Sequence, residues 1–168
     1  PNTPSPTDGV YTFSSLPVYE GTLVENKYTV DTTNADQRFL IQNALADTTT
    51  LKVTVQNSST DTTSNTYTLA TDLADITSTS KVYYLEGAED QQYEVKFGDG
   101  VLGAALSTGN IVTLSYVVTN AEGSNGASSF SLSGTIGGFS NVTITTATNS
   151  ANGAQPETPD SIRFNAPK

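Results

Sequence analysis

The chain of 168 residues contains no cysteine, histidine, methionine or tryptophan. Without cysteine it has neither a disulfide framework nor a thiolate metal site, so ordinary packing must hold the fold together. Without histidine it lacks the commonest general base, the commonest metal ligand and the usual partner of a nucleophilic serine. Because most hydrolase mechanisms lose their central residue, we expect no enzyme activity and no cofactor.

Positive charge is also scarce. Seven Lys and Arg residues stand against 17 Asp and Glu residues, which gives a formal net charge of −10. Such an acidic surface repels phosphate backbones and anionic headgroups. No stretch reaches the roughly 20 apolar residues that a membrane-spanning helix needs. We therefore expect neither nucleic acid nor a membrane among the partners.

What the chain has in abundance is threonine, with 28 residues, and serine, with 18. Long runs of helix-forming residues are missing, so local propensity favours strands and turns. Apolar and polar residues alternate most clearly in 51–55, 93–97 and 112–118. Residues 81–85 are apolar on both faces, as in a central strand that is covered on each side. Further strands are predicted at 10–13, 22–30, 38–41, 67–70, 129–132 and 142–145.

Short strands separated by Gly, Asn, Asp and Ser clusters are typical of a sandwich or barrel. The predicted fold class is all-β: a sandwich-like module of about ten short strands, in one sandwich or two packed subdomains. Residues 71–77 suit a brief helical turn. We expect a linker at 1–8, the β-rich module at 9–152 with a subdomain boundary near 78–81, and a second linker with the start of a helix at 153–168.

The helix start is predicted from the run Glu157-Thr158-Pro159-Asp160. Thr158 suits the N-cap, Pro159 the first helical position and Asp160 the positive end of the helix dipole. A helix that begins so near Lys168, in a chain that begins at Pro1, predicts a piece cut from a larger protein.

Residues 98–103 fit the G-x-G-x-x-G pattern of dinucleotide-binding loops. That loop must open a helix, whose N-terminus holds the pyrophosphate, and residues 104–109 leave room for barely one turn. Glu122 follows this loop at the sequence spacing of the acidic residue that binds the ribose in such folds, and we interpret that spacing as a coincidence. Asp99-Gly100 is better interpreted as a tight turn that marks a hairpin.

The acidic residues leave two alternatives open. Asp99 with Glu86, Glu89 or Asp90 is a candidate Ca²⁺ site, although Ca²⁺ takes six to eight oxygens and no D-x-D-x-D-G loop is present. A glycosidase needs paired carboxylates, and Glu20 with Glu25 or Glu86 with Glu94 would supply them. Since 17 acidic residues produce such pairs by chance, solvated surface acids are the favoured interpretation.

Two motifs, in order along the chain, carry a resemblance to a known family. The first is Phe97-Gly98-Asp99-Gly100 with Gly103 and a following GNIV strand. The second is an acidic residue and Thr158 before a helix that contains Ile162 and Arg163, followed by Asn165, Ala166 and Pro167. Between and before them come VYEGTLVENKYTV, QRFLIQN, LKVTVQNS and SKVYYLE. The chain thereby resembles the baseplate wedge protein of contractile-tailed phages, of the gene-product-six type in the baseplate J-like family. It departs from the family at Asn152-Gly153-Ala154, where a Gly-Gly-Ala approach to the helix is common.

This resemblance implies a structural protein without catalytic residues, a rigid spacer and interaction module in the ring around the tail hub. It implies other baseplate wedge and inner tail proteins as partners, a homodimer in the full-length protein, a place in the virion tail baseplate, and assembly in the host bacterial cytoplasm. No contact residue is assigned. The alternative is an extracellular adhesin or carbohydrate-binding β-sandwich module.

Overall fold

A computed structural model gives the structure of the protein and describes residues 10–158 together with Ser161, Arg163 and Phe164. In the described part the chain forms seven strands: β1 Thr22–Thr29, β2 Phe39–Ile41, β3 Ala46–Gln56, β4 Ser64–Leu69, β5 Val82–Gly87, β6 Tyr93–Phe97 and β7 Ile111–Val118. Short 3₁₀ turns occupy Glu89–Gln91 and Ala121–Ser124. The fold is all-β, as predicted.

The strands form one sheet in the order β1-β7-β3-β4-β5-β6-β2. All neighbours are antiparallel except β4 and β5, which pair in parallel through Thr68 with Val82 and Leu69 with Tyr83. The sheet curls until its two edge strands approach each other, and the Tyr28 hydroxyl of β1 donates to the Leu40 carbonyl of β2 at 2.7 Å. The architecture is therefore barrel-like.

Alternation along the strands creates the core. In β7, Val112, Leu114 and Tyr116 are buried, while the residues between them are only partly covered. An edge-to-face series of rings then joins four strands across the interior. Its centroids are 5.6 Å apart from Tyr28 to Phe39, 5.3 Å from Phe39 to Phe97 and 5.5 Å from Phe97 to Tyr67. Such pairs add to the free energy gained by area burial alone.

Strand β3 contains an irregularity whose polar groups are satisfied locally. Its pairing with β7 shifts register between Asp47 and Lys52. The Asp47 carboxylate accepts from the Thr49 amide at 2.9 Å, and the Thr50 hydroxyl accepts from the Val117 amide of β7 at 2.9 Å. Because side chains replace the interrupted ladder, the bulge leaves no orphaned donor at Val117.

Several predicted strands are confirmed, with shifted ends, as β1 to β7. The strands predicted at 10–13, 129–132 and 142–145 are wrong, since these residues lie outside the sheet and are exposed. The described residues accordingly contain seven strands, not about ten. Residues 71–77 form bends and turns without a helical turn. β5 is an interior strand of the sheet, as expected for 81–85, but Tyr83 is its one buried residue, so the strand is not fully covered on both faces.

The predicted helix start is confirmed at its N-cap. The Ser161 amide donates to the Thr158 hydroxyl at 3.3 Å, and Ser161, Arg163 and Phe164 are helical. Residues 1–9, Pro159, Asp160, Ile162 and 165–168 lie outside the described residues. In the part of the chain that is described, no helix has the length and apolar character required to cross a membrane.

Candidate interaction surface

The loop after β6 is organised by one carboxylate. Asp99 accepts hydrogen bonds from the Val101 amide at 2.8 Å and the Leu102 amide at 3.0 Å. Gly100 adopts φ +88°, which an L side chain rarely adopts, and its amide donates to the Gly103 carbonyl at 3.0 Å. These amides lower the pKa of the Asp99 carboxyl, with the Leu102 bond the larger cause. The predicted tight turn at Asp99-Gly100 is confirmed.

The same loop is packed against the rest of the barrel through its glycines. A Cβ on Gly98 would overlap the main chain of Gly103, so the two ends of the loop touch directly. The Gly103 amide donates to the Thr77 carbonyl at 3.1 Å, and the Ala104 amide donates to the Ser80 carbonyl at 2.8 Å. These hydrogen bonds hold the end of β6 against the turn that precedes β5, and in this sense we call the loop a tie.

This geometry corrects the hairpin interpretation. β6 pairs with β5 and β2, whereas β7 pairs with β1 and β3, so the loop at 98–103 connects strands that are not neighbours. The following residues run through Ala105, which bridges to Gly98 in parallel, and reach β7 without forming a helix. A pyrophosphate would find no helix N-terminus here. The loop has the local structure of a tie, not of a nucleotide cradle.

The segment that leads to the second motif contacts Asn125, just after the 3₁₀ turn Ala121–Ser124. Gly153 exchanges hydrogen bonds with the Asn125 side chain, at 2.8 Å to its carbonyl and 2.9 Å from its amide. Asn152 has φ +69°, a conformation that glycine and asparagine tolerate best. The departure from a Gly-Gly-Ala approach is thus sterically accommodated. Of the second motif, Thr158 and Arg163 are described; Ile162, Ala166 and Pro167 lie outside the described residues.

Two of the carboxylates considered for glycosidase chemistry, Glu86 and Glu94, form ion pairs with cations. Glu86 and Glu94 face each other across β5 and β6. Lys96 lies 2.5 Å from Glu86, and Arg38 lies 2.8 Å from Glu94. The hydrogen bond from Arg38 is the main cause that lowers the pKa of the Glu94 carboxyl. A general acid needs a raised pKa, so the lowered pKa of Glu94 is opposite to what such a role requires.

Glu20, another of the acidic candidates, also has structural contacts. Glu20 accepts from the backbone amide of Asn120 at 3.0 Å and from its side-chain amide at 2.5 Å. These bonds, the backbone one first, lower the pKa of the Glu20 carboxyl. Among residues 10–158 and the three described helical residues, no group of three or more acidic side chains converges as a Ca²⁺ site requires.

An open cleft lies beside the ion pair of Arg38 and Glu94. Its wall includes Asp31, Phe97 and Leu106. The pKa of Asp31 is lowered chiefly by the hydroxyl of Thr33, and this carboxylate also accepts from the Thr33 amide. Asp31, Arg38 and Glu94 along the cleft are therefore already paired or hydrogen-bonded within the protein.

An exposed apolar surface lies beyond β7, in residues 127–150, which we call the arm. Its base is closed by bonds from the Gly126 amide to the Ser150 carbonyl at 2.8 Å and from the Ser150 amide to the Ala127 carbonyl at 2.9 Å. Its tip is closed by reciprocal bonds between Ile136 and Phe139, at 2.9 and 3.0 Å. Gly137 and Gly138 supply the positive φ that this tight turn needs.

Between base and tip, the two limbs of the arm lack a ladder. Within residues 128–135 and 140–149, one backbone hydrogen bond joins described residues, from the Val142 amide to the Ser140 carbonyl. Six large apolar side chains are exposed along the arm, and Phe139 is the most open at 74%. They are Phe130, Leu132, Ile136, Phe139, Val142 and Ile144.

Sequence reasoning predicted strands in the arm but missed the arm as a surface. The signal was available, because no charged residue occurs between Glu122 and Glu157 in a chain whose net charge is −10. The ion pair of Arg38 and Glu94 was also missed, since the two residues are 56 positions apart and meet only through the pairing of β2 with β6.

A scan against protein-family models finds no matching family, and a search of curated proteins finds no significant match.

Proposed function

We propose that this chain is a structural component of the baseplate wedge of a contractile-tailed phage, where it acts as a rigid spacer and interaction module in the ring around the tail hub. Its partners in this proposal are other wedge proteins and inner tail proteins, with a homodimer in the full-length protein. Its place is the virion, after assembly in the host bacterial cytoplasm.

The observation that carries the proposal is the loop at 98–103. The motif that contributes most to the resemblance folds as an internal tie, in which Asp99 caps two amides and Gly98 touches Gly103. A tie of this kind suits a part that transmits force, because it joins the end of β6 to the turn before β5. Nothing in its geometry requires a ligand for it to be satisfied.

The barrel adds a mechanical argument. Its strands are connected edge to edge in one sheet, and the ring series from Tyr28 to Tyr67 crosses the interior. A densely packed sheet moves as a body, because packed interiors do not deform continuously. Rearrangement during tail contraction would then occur at the segments flanking the barrel.

The proposal is tested by reconstituting the full-length protein with the neighbouring wedge proteins and measuring co-sedimentation. We expect a stable complex, and failure to join any of them would contradict the proposal. Electron cryomicroscopy of extended and contracted tails supplies the second measurement. The seven strands should superimpose between the two states while the module as a whole moves, and internal rearrangement of the sheet would contradict the spacer role.

The alternative function is that of an adhesin or carbohydrate-binding module. Its candidate binding site is the open cleft beside Arg38 and Glu94. A glycan array separates the two functions. Saturable binding that is lost in Arg38→Ala and kept in Lys52→Ala, a change at an exposed residue of β3, would favour the alternative. We expect no saturable binding.

A further inference from the structure

We propose that the arm of one copy pairs with the outer edge of β1 in a second copy, so that two copies exchange arms. The inference rests on the proposed function for its setting and deepens it by naming a contact surface. The arm supplies two limbs that lack a ladder among the described residues, and β1 supplies a sheet edge that has no backbone partner among them.

The arm has the composition of a strand that is meant to pair. In its second limb Val142 and Ile144 alternate with threonines, and in its first limb Phe130 and Leu132 alternate with serines. Exposed strands are normally protected against pairing by lysine or another charged residue, or by proline. Residues 123–155 contain neither a charged residue nor a proline. The missing protection indicates that a partner strand covers these limbs.

The matching edge is on β1. This strand is the first in the sheet order, and among the described residues it pairs on one side only, with β7. Its other side meets β2 near Tyr28, which leaves the stretch from Thr22 to Asn26 without a backbone partner among the described residues. Leu23 on this stretch is 65% exposed, although it sits in a strand. An edge of this length accommodates one limb of the arm.

Arm and edge lie at the same end of the barrel. The first residue of β1, Thr22, pairs with the last residue of β7, Val118, and the arm begins shortly after β7. The Glu20 carboxylate, just before β1, holds Asn120, just before the 3₁₀ turn that leads to the arm. A two-fold axis at this end therefore allows each arm to reach the other copy, an isologous contact in which the same surfaces serve both partners.

Charge selects a second copy over a basic partner. Each copy has a net charge of −10, so two copies repel each other over most of their surfaces. The arm is the long uncharged segment through which they can touch without like-charge repulsion. A basic partner would instead be drawn to the acidic faces. The two cases differ in salt dependence, because screening strengthens a contact between like-charged copies and weakens one between opposite charges.

The first experiment is sedimentation velocity of the chain from about 1 to 200 µM, at about 0.05 and 0.5 M NaCl. We expect a monomer–dimer equilibrium that shifts toward dimer at the higher salt concentration. The arm variant Leu132→Asp/Ile144→Asp and the edge variant Leu23→Lys should each raise the dissociation constant at least about tenfold. Val101→Asp, at a 70% exposed apolar residue outside the arm, is the matched control and should leave it unchanged. Far-ultraviolet circular dichroism checks that every variant is folded.

The second experiment mixes the variants. Arm variant and edge variant each lack both contacts of the homodimer, but a mixed pair retains one, so mixing should restore part of the dimer. Because the chain has no cysteine, single introduced thiols report proximity directly. A mixture of Ser131→Cys and Glu25→Cys should give a disulfide-linked dimer of the two different variants in excess over the linked homodimers.

Three results would overturn the inference: a monomer at every concentration and both salt conditions, a dimer that survives both the arm and the edge variants, or a monomer whose arm amides are protected from hydrogen exchange, which would place the arm on its own barrel. A full-length protein that joins the wedge complex while this chain stays monomeric would leave the proposed function standing and remove the exchange alone.

Discussion

The barrel and the arm are made of the same kind of sequence and have opposite structural outcomes. In β7 the run from Ile111 to Val118 alternates apolar and polar residues, and its inward side chains are fully buried. In the arm, residues 142–145 alternate in the same way and remain exposed. The difference is that β7 lies between β1 and β3, whereas neither limb of the arm has a strand beside it among the described residues. Strand propensity is a capacity to pair, and neighbours decide whether it is used.

The largest expected effect is in the centre of the barrel. Leu114 is 0% exposed, and Leu114→Ala should lower the free energy of unfolding by about 2–5 kcal/mol through lost transfer energy and a residual cavity. Urea denaturation followed by circular dichroism measures it. A loss below about 0.5 kcal/mol, the usual range for surface changes, would show that β7 is not the core strand described above.

The next effect concerns the loop at 98–103. Gly98→Ala places a Cβ against the main chain of Gly103, which cannot move aside cheaply, and should cost about 1–3 kcal/mol of unfolding free energy. Gly87→Ala is the matched control, because a Cβ at Gly87 meets nothing within 4 Å. The control should be neutral or slightly stabilising. Equal losses in the two variants would mean that the loop is not packed as a tie.

A smaller effect is expected from the ion pair on the barrel wall. Arg38 holds the pKa of the Glu94 carboxyl below its unfolded value, so the pair stabilises the fold above a pH of about 4.3 and loses this contribution as pH falls through the lower, folded pKa. Thermal unfolding from pH 7 to pH 3 should show a shallower acid loss in Glu94→Gln and in Arg38→Gln than in the unmodified chain. The effect is modest because solvent screens the pair. An identical loss of thermal stability between pH 7 and pH 3 in all three proteins would contradict this dependence on the Glu94 pKa.

The smallest effect on stability is expected in the arm. Ile144 is 45% exposed, and Ile144→Ala should change the free energy of unfolding by no more than about 0.5 kcal/mol in dilute solution. Hydrogen exchange at the same low concentration should find the limb amides fast and those of β7 slow, since only the latter are in a ladder. Slow exchange in the limbs of the monomer would reduce the contrast between barrel and arm.

Much of the fold was accessible from pattern alone. Alternation located β3, β6 and β7, and the apolar run at 81–85 located β5, because period two and a buried face are local properties. The same reasoning failed at 129–132 and 142–145, where the pattern is equally good but no partner strand is described. Thr158 was correctly predicted as an N-cap, since capping depends on residues three positions apart.

The candidate surface was accessible only in part. Asp99-Gly100 was correctly predicted as a turn from local chemistry. The predicted hairpin was wrong, because the residues of a turn do not determine which strands pair in the sheet. The contact of Arg38 with Glu94 depends on the pairing of β2 with β6, which brings together residues 56 positions apart. Long-range pairing of this kind has no local signal.

By itself, the sequence determined the class and the chemistry of the molecule: an acidic, threonine-rich, all-β chain without cysteine or histidine, whose turns form where Gly, Asp and Asn permit them. The tertiary structure decided the strand order, the approach of β1 to β2, the tie at 98–103 and the separation of barrel from arm. The reason is physical. Propensity and alternation act over a few residues, whereas burial depends on which distant strands supply the other face.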